Sequence, residues 1–422
     1  MGTVGQGVWR HLEEGKDAMQ RRFGAEFELA KACVRDIARK RSVYIPAEKL
    51  TTNPLDILDD PEIDIVCELM GGTDAAFEHT MRAIKNGKSV VSANKAVICM
   101  KGAEIFEAAS AAKVGYFYEA SVAGGIPVIK IIKEGLVANR FTSIYGILNG
   151  TCNYILTRME KEEASFESIL KDARKLGYVE EDESLDIDGW DAAHKAVVLA
   201  HLAHGKWVSL DDMIVTGIRD IRLEDMLWAR EFDYRIKLIA SVKCRFDTKK
   251  LSVSVYPALV PLSDVVANVN GVYNAVSIQG DVVGRTVHIG RGAGQDATAS
   301  AVISDIADSI KYLRGAPSDA PKYDSYSLDI ARLEEMRNSF YLRLCVKDEA
   351  GVLAQITAIF AHVGVSIELL KQVKHPKEGK AWLVLTTHET DEGAVETLRK
   401  QLEDSKAVLG SPFVLRILRN KE

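Results

Sequence analysis

Val90-Val-Ser-Ala-Asn-Lys95 passes from a strand to the first turn of a helix within six residues. Ser89–Val91 is short and apolar enough to read as a strand covered on both faces, and Lys95–Lys113 carries a helical pattern. Outward from this junction the first 125 residues repeat the alternation. Phe27–Val34, Ile63–Leu69 and Val114–Tyr118 read as further parallel strands, with helices around Gly5–Phe23 and Asp74–Asn86 between them. Repeated βαβ units predict a Rossmann-type, doubly wound nucleotide-binding sheet whose ligand lies at the carboxyl ends of the strands. Arg35, Gly71-Gly-Thr73 and Ser92–Lys95 each follow a strand and meet that rule. Taken by itself, a lysine such as Lys95 in a helix's first turn is more often simply solvated.

The start of the chain is less regular. A dinucleotide fold opens with a buried strand and then G-x-G-x-x-G, so that the pyrophosphate can approach a helix N-terminus. Here Met1-Gly-Thr-Val-Gly-Gln-Gly-Val8 supplies Gly2 and Gly5 for the second and third glycines. The first glycine and the strand before it are absent. That strand occupies the middle of such a sheet, so its loss is expected to leave inner edges unpaired. Either the true start lies about ten residues upstream, or cofactor binding is impaired. The first is expected, because every later motif keeps residues suited to its role. After the second strand come Arg35, Asp36, Arg39, Lys40 and Arg41. A guanidinium suits a 2′-phosphate, which favours NADP, while Asp36 leaves NAD open.

At 422 residues two or three domains are expected. A hydrophobic share of 47% with 27% charged residues fits a soluble globular protein, and a net charge of −6 gives no general attraction to nucleic acid or anionic membrane. Six cysteines are scattered singly, without C-x-x-C or zinc spacing, which suggests reduced thiols in a cytoplasmic protein. No apolar run reaches membrane-spanning length, and no signal peptide is evident. Residues 126–295 mix longer helices with antiparallel-looking strands at Phe141–Leu148, Leu251–Tyr256, Val272–Gln279 and Arg285–Ile289, an α+β substrate and dimerisation domain. Gly294 lies in a glycine-rich turn before a helix over 296–313, and residues 315–335 read as a linker. Residues 336–422 then follow a βαββαβ pattern.

The acidic stretch Gly177-Tyr-Val-Glu-Glu-Asp-Glu-Ser-Leu-Asp-Ile-Asp-Gly-Trp-Asp191 runs into Ala-Ala-His-Lys195. From Gly189 it reads as a helix with Trp190, Ala193, Val197 and Leu199–Ala200 on an apolar face, which puts Asp191 and Lys195 one turn apart. A lysine among acids in a partly enclosed site can move a proton to or from a substrate oxygen. The plain alternative is a solvated ion pair after an acidic surface loop.

The order of residues in this segment resembles the substrate loop and catalytic helix of homoserine dehydrogenases. Four more stretches share the resemblance: Val90–Lys95, Tyr118-Glu-Ala-Ser-Val-Ala-Gly-Gly-Ile-Pro127, Ile147-Leu-Asn-Gly-Thr-Cys-Asn-Tyr-Ile155 and Gly292-Ala-Gly-Gln-Asp-Ala-Thr-Ala-Ser-Ala-Val302. It implies Lys195 as the acid/base, with Glu180, Asp186 and Asp191 binding the substrate or orienting the lysine. Gly150 and Thr151 open a helix suited to the substrate carboxylate, and Lys95 is the second lysine of the site. Gly2, Thr3, Val4, Gly5, Arg35, Ser92 and Gly294 are the implied cofactor contacts. A sodium ion is implied at Glu119 and the carbonyls of Val122, Gly124 and Ile126; without the resemblance, Glu119 reads as the cap of a helix starting near Ile126. The implied reaction interconverts L-homoserine and L-aspartate 4-semialdehyde, in threonine, methionine and isoleucine biosynthesis. Leu344-Cys-Val-Lys-Asp-Glu-Ala-Gly-Val-Leu-Ala-Gln-Ile356 resembles an ACT domain, in which Asp348 and Gly351 form the turn for an amino-acid effector, here threonine. A homodimer or homotetramer is expected. Other ACT-bearing dehydrogenases explain neither the 177–195 segment nor the Glu119 loop, and a non-catalytic amino-acid sensor draws support only from the missing strand.

Overall fold

A computed structural model describes residues 1–175, 183–315 and 327–419. Two compact units make up the chain, one of Met1–Ile144, His194–Asp211 and Val272–Tyr326, the other of Tyr145–Ala193, Asp212–Gly271 and Ser327–Glu422. In the first, α1 (Thr3–Glu14), α2 (Lys16–Phe23), β1 (Ala32–Cys33), β2 (Leu50–Thr51), α3 (Leu55–Leu58) and β3 (Ile65–Glu68) come in order. They are followed by α4 (Asp74–Lys85), β4 (Ser89–Ser92), α5 (Lys95–Ala112), β5 (Tyr116–Phe117) and α6 (Val128–Lys130). In α4, Ala76, Thr80, Ala83 and Ile84 keep helical spacing and are buried. Asn94 caps α5 by accepting from Val97 N at 3.2 Å.

The parallel sheet of this unit is in two pieces. β1 pairs with β2, and β3, β4 and β5 form a separate three-stranded sheet. Cys67 on β3 is accordingly solvent-exposed, where a middle strand would be covered. The expected strand Phe27–Val34 shrinks to Ala32–Cys33. Its approach has no neighbouring strand, so the carbonyls of Gly24, Phe27 and Leu29 accept from the side chains of Arg314, Gln20 and Lys49. The expected helix Gly5–Phe23 breaks at Gly15 into α1 and α2.

After β6 (Phe141–Ile147) the order is α7 (Gly150–Glu162), α8 (Phe166–Lys175), α9 (Ser184–Ile187), α10 (Trp190–His204), β7 (Ile214–Val215), α11 (Leu223–Glu231), β8 (Tyr234–Arg245) and β9 (Lys250–Pro261). β10 (Tyr273–Gly280) and β11 (Gly284–Arg291) form an antiparallel hairpin in the first unit. α12 (Gln295–Leu313) packs there on α1 so closely that a Cβ at Gly7 would lie 2.8 Å from Gln295 Cγ. The second unit continues with β12 (Asp329–Ile330), β13 (Arg337–Lys347), α13 (Val352–Val363), β14 (Ile367–Lys374), β15 (Lys380–Thr387), β16 (Thr390–Asp391), α14 (Glu392–Asp404) and β17 (Phe413–Ile417).

That last stretch is the expected βαββαβ module, with Phe340, Leu342, Leu344, Ile356, Phe360 and Leu398 in its core. It does not stand apart within its unit. β17 pairs parallel with β9 through Arg416↔Ala258 and Ile417↔Leu259, so one sheet runs β8-β9-β17-β13-β15-β14. β8 was not among the expected strands, because Arg235, Lys237, Lys243 and Arg245 mask a segment whose residues 236–242 are buried throughout. Trp190, expected on the apolar face of α10, is 39% exposed. No described helix is long and apolar enough to cross a membrane.

Candidate active site

On the cofactor side, Gly2 is the N-cap of α1, and Thr3, Val4 and Gly5 form its first turn. No side chain caps this terminus, so its N–H groups suit an anion. Gly294 is the N-cap of α12 at φ 116°, and the neighbouring Gln295 Nε2 donates to Thr3 O at 2.9 Å. Gln6 Oε1 accepts from Ser42 N and Oγ, which ties the basic loop after Arg35 to the same turn of α1. Arg35 is exposed on that loop, and Asp36 Oδ1 accepts from Ala38 N at 2.8 Å. The structure therefore gathers Gly2–Gly5, Gly294 and the basic loop. At the carboxyl end of β3, Glu68 accepts from Met70 N and from Ser92 Oγ, both at 2.8 Å. Asn94 N in turn donates to Ser92 Oγ, and Asn94 Nδ2 to Gly72 O. Burial pushes the Glu68 carboxyl above its usual range. One buried acid thus clamps the two loops that lead to Gly72 and Lys95.

On the substrate side, Asn149 is the N-cap of α7, accepting from Cys152 N at 2.8 Å. Its amide nitrogen donates to Asp186 Oδ1 at 2.7 Å and to Asp191 Oδ2 at 2.9 Å. Two acids separated in sequence from Asn149-Gly150-Thr151 are thereby held at the first turn of α7. Lys195 follows Asp191 by one turn on α10 and is 9% exposed. Glu180 lies outside the described residues. Arg219 braces the visible end of the acidic segment, pairing with Asp188 at 2.5 and 3.2 Å and with Glu183 at 3.4 Å. Arg174 hydrogen-bonds Glu183 at 2.7 Å and holds its carboxyl below the usual range. Gly217 must be glycine, because a Cβ there would lie 2.1 Å from Ile187 O.

Glu119 is buried, and its two carboxylate oxygens accept from Ile129 N at 2.8 Å and Lys130 N at 2.9 Å. It caps the helical turn at 128–130, two residues later than the sequence placed it. The loop between runs through Ala123 and Gly124 at φ 57° and 49°, with a Cβ on Gly124 only 2.5 Å from Gly292 O. Asp305 accepts from Glu119 N at 2.8 Å, and burial pushes both carboxyls up. Among the described residues no cluster of three or more His, Cys, Asp or Glu side chains could hold a metal ion.

Sequence models of three kinds match the chain. They are the homoserine dehydrogenase NAD-binding domain over residues 1–119, homoserine dehydrogenase over 127–307 and the ACT domain over 340–406. The homoserine dehydrogenase of Helicobacter pylori is 40% identical over 99% of this chain and 97% of its own. The chain belongs to the homoserine dehydrogenase family. A homoserine dehydrogenase from Thiobacillus denitrificans superposes with a TM-score of 0.91 at 39% identity, covering 99% of this chain and 96% of that one. A hyperthermophilic archaeal homoserine dehydrogenase in complex with NADPH gives 0.58 at 25% identity, over 75% and 96%.

This member of the family is thus an oxidoreductase with an NAD-binding domain and a C-terminal ACT domain. Sequence reasoning missed Glu68, Arg219 and Gly7 as residues that brace the candidate segments. Glu68 and Gly7 stood beside motifs that were read, in Glu68-Leu-Met-Gly-Gly-Thr73 and Gly2–Val8, and a reading of each motif's flanks would have reached them. Arg219 follows an unremarkable Thr-Gly-Ile and carries no local signal.

Proposed function

We propose that the chain oxidises L-homoserine to L-aspartate 4-semialdehyde, reversibly, with reduction of NAD(P)⁺ and release of one proton. The observation that carries this reading is the Asn149 bridge between Asp186 and Asp191 at the N-terminus of α7, one helical turn before buried Lys195. The N–H groups at Gly150 and Thr151 take the substrate carboxylate. Asp186, Asp191 and Glu180 take its ammonium and set the field around Lys195. Lys195 removes the hydroxyl proton in oxidation and returns it in reduction. When bound, nicotinamide supplies the hydride acceptor at C4 of its ring. Gly2–Gly5 and Gly294 hold the pyrophosphate, and Ser92 and Lys95, fixed by Glu68 and Asn94, lie on the nicotinamide side. NADP is the favoured cofactor, through Arg35 and its basic neighbours.

Sodium is assigned to Glu119 with the carbonyls of Val122, Gly124 and Ile126. The residues fit a cation, since two buried carboxyls, Glu119 and Asp305, stand together beside a left-handed turn. The ACT domain takes an amino-acid effector, threonine, at the turn from Asp348 to Gly351, where Gly351 sits at φ 88° ahead of α13. The enzyme works in the cytoplasm, within threonine, methionine and isoleucine biosynthesis. Exposed Tyr273, Val282, Val283 and Ile289 around the β10–β11 hairpin support a homodimer or homotetramer. The decisive assay follows reduced-cofactor absorbance during homoserine oxidation at alkaline pH, with NADP and then NAD. Turnover with NADP above NAD is expected. No turnover with either cofactor would overturn the reading.

A further inference from the structure

Strand β8 carries a lysine at a position that an aliphatic residue would ordinarily fill. Lys237 is 1% exposed, between buried Ile236 and Leu238. Its ammonium donates to Asn153 Oδ1 at 2.9 Å, Val269 O at 2.7 Å and Asn270 Oδ1 at 3.1 Å. Three protons meet three acceptors, and none of the acceptors is charged. Among the described residues no carboxylate stands within ion-pair distance of it. Glu160, whose charge bears on Lys237, is itself paired with Arg235 at 2.8 Å. Burial pushes the Lys237 pKa down to about 7. The acceptors work the other way, because a neutral amine has two protons for three of them. A buried ammonium with no counter-ion is costly to keep, so what the charge faces decides its purpose.

It faces the helix that opens the substrate site. Asn149, Asn153 and Thr157 lie at i, i+4 and i+8 on α7 and form a buried polar line. Asn149 holds Asp186 and Asp191. Asn153 Nδ2 donates to Val269 O at 3.1 Å, and Thr157 Oγ1 accepts from Gly271 N at 3.0 Å. Lys237 therefore bonds to the side chain one turn behind the first-turn N–H groups of Gly150 and Thr151, on the order of 5 Å further along the helix. The acids suit one end of a zwitterion, and this unpaired cation behind a helix N-terminus suits the other.

We infer that Lys237 is the buried counter-charge for the substrate's carboxylate, acting through α7 as a positioning residue. This rests on the proposal that the N-terminus of α7 takes that carboxylate. The test compares homoserine with its carboxamide, which keeps the ammonium and lacks the carboxylate charge, in the wild type, Lys237→Met and Asn270→Asp. The aspartate is isosteric and neutralises the ammonium without removing it, so it decides the matter even if the methionine variant fails to fold. Each change is expected to lower kcat/KM for homoserine by about tenfold or more, chiefly through KM, the scale of one unit charge acting across a partly screened site. The carboxamide should change by less than about threefold, since it lacks the carboxylate charge on which the ammonium acts. Damage to the fold would lower both substrates together, and parallel losses in Asn270→Asp overturn the inference. Wild-type turnover tests the dehydrogenase reading separately. If it is silent, calorimetric dissociation constants for the same two ligands give the same ratio. A wild type that does not distinguish them overturns the carboxylate assignment and Lys237 with it.

Discussion

Lys195 is 9% exposed, in a class of residue that folded proteins almost always leave in water unless it is paired or employed. It follows Asp191, which the Asn149 amide holds, by one turn of α10. Replacing it by alanine should lower kcat for homoserine by about 10²–10⁴-fold, the usual range for a positioned acid/base. NADPH affinity, read by fluorescence titration, should stay within about threefold, because the proposed cofactor contacts lie on other elements. Turnover surviving within about tenfold would remove Lys195 from the acid/base role. The bridge from Asn149 to Asp186 and Asp191 joins two short segments that the sequence had already singled out for their polar residues. Lys237, Glu68 and Arg219 were not legible in it. Their partners lie far along the chain, at Asn153 and Val269, at Ser92, and at Glu183 and Asp188. A lone charged residue in an apolar strand gives no sign of what it will meet.

Elements were legible where periodicity was strong and local. α4, α5 and β4 fall within a residue or so of their expected bounds, because each has a regular apolar pattern and a clear stop. β1 and β8 were misread because pairing decides their extent: β1 is short where no neighbour supports it, and β8 is a full strand despite four basic residues. α10 shows how an element carries a property that its pattern does not announce. Near its end His201 stacks on Trp207 at 3.8 Å between ring centroids and meets the edge of Phe106 at 5.4 Å. Burial pushes the pKa of both His201 and His204 to about 4, from an ordinary 6.5. The folded state therefore takes up protons later than the unfolded chain as pH falls. Stability is full above pH 6.5 and is lost progressively between 6.5 and 4, by up to roughly 3 kcal/mol per histidine. Thermal melts from pH 8 to 4.5 should show the melting temperature falling below pH 6.5. His201→Phe, which keeps an aromatic ring on Trp207, should flatten part of that slope, and identical slopes would show that His201 is not its source.

At the scale of the whole molecule, the ACT module shares a sheet and a buried polar centre with the rest of its unit. Asp225 on α11 is fully buried; its oxygens accept from Tyr341 Oη and from Arg343 Nη1 on β13, each at 2.8 Å, and from Arg222 N at 3.0 Å. Burial outweighs the guanidinium and raises the Asp225 carboxyl above its ordinary range. Arg343 is covered in turn by Phe413 and Trp382, with its guanidinium 4.5 and 5.6 Å from the ring centres. Such a centre is expensive to break and need not be stabilising as a whole, since the ions gain from one another roughly what they lose in leaving water. Asp225→Leu or Arg343→Leu alone should each cost about 3–5 kcal/mol, because each leaves a buried charge without its partner. The triple change Asp225→Leu, Tyr341→Phe, Arg343→Leu should recover most of that loss, since it removes all three side chains that need one another and leaves only Arg222 N without its acceptor. Denaturant midpoints for the singles and the triple decide it. If the triple variant is no more stable than the worst single one, packing around β13 and α11 holds the module in place, and the ion pair is incidental. If it recovers, β17 on β9 and the apolar core hold the two parts together, and the buried charges specify how α11 seats on β13.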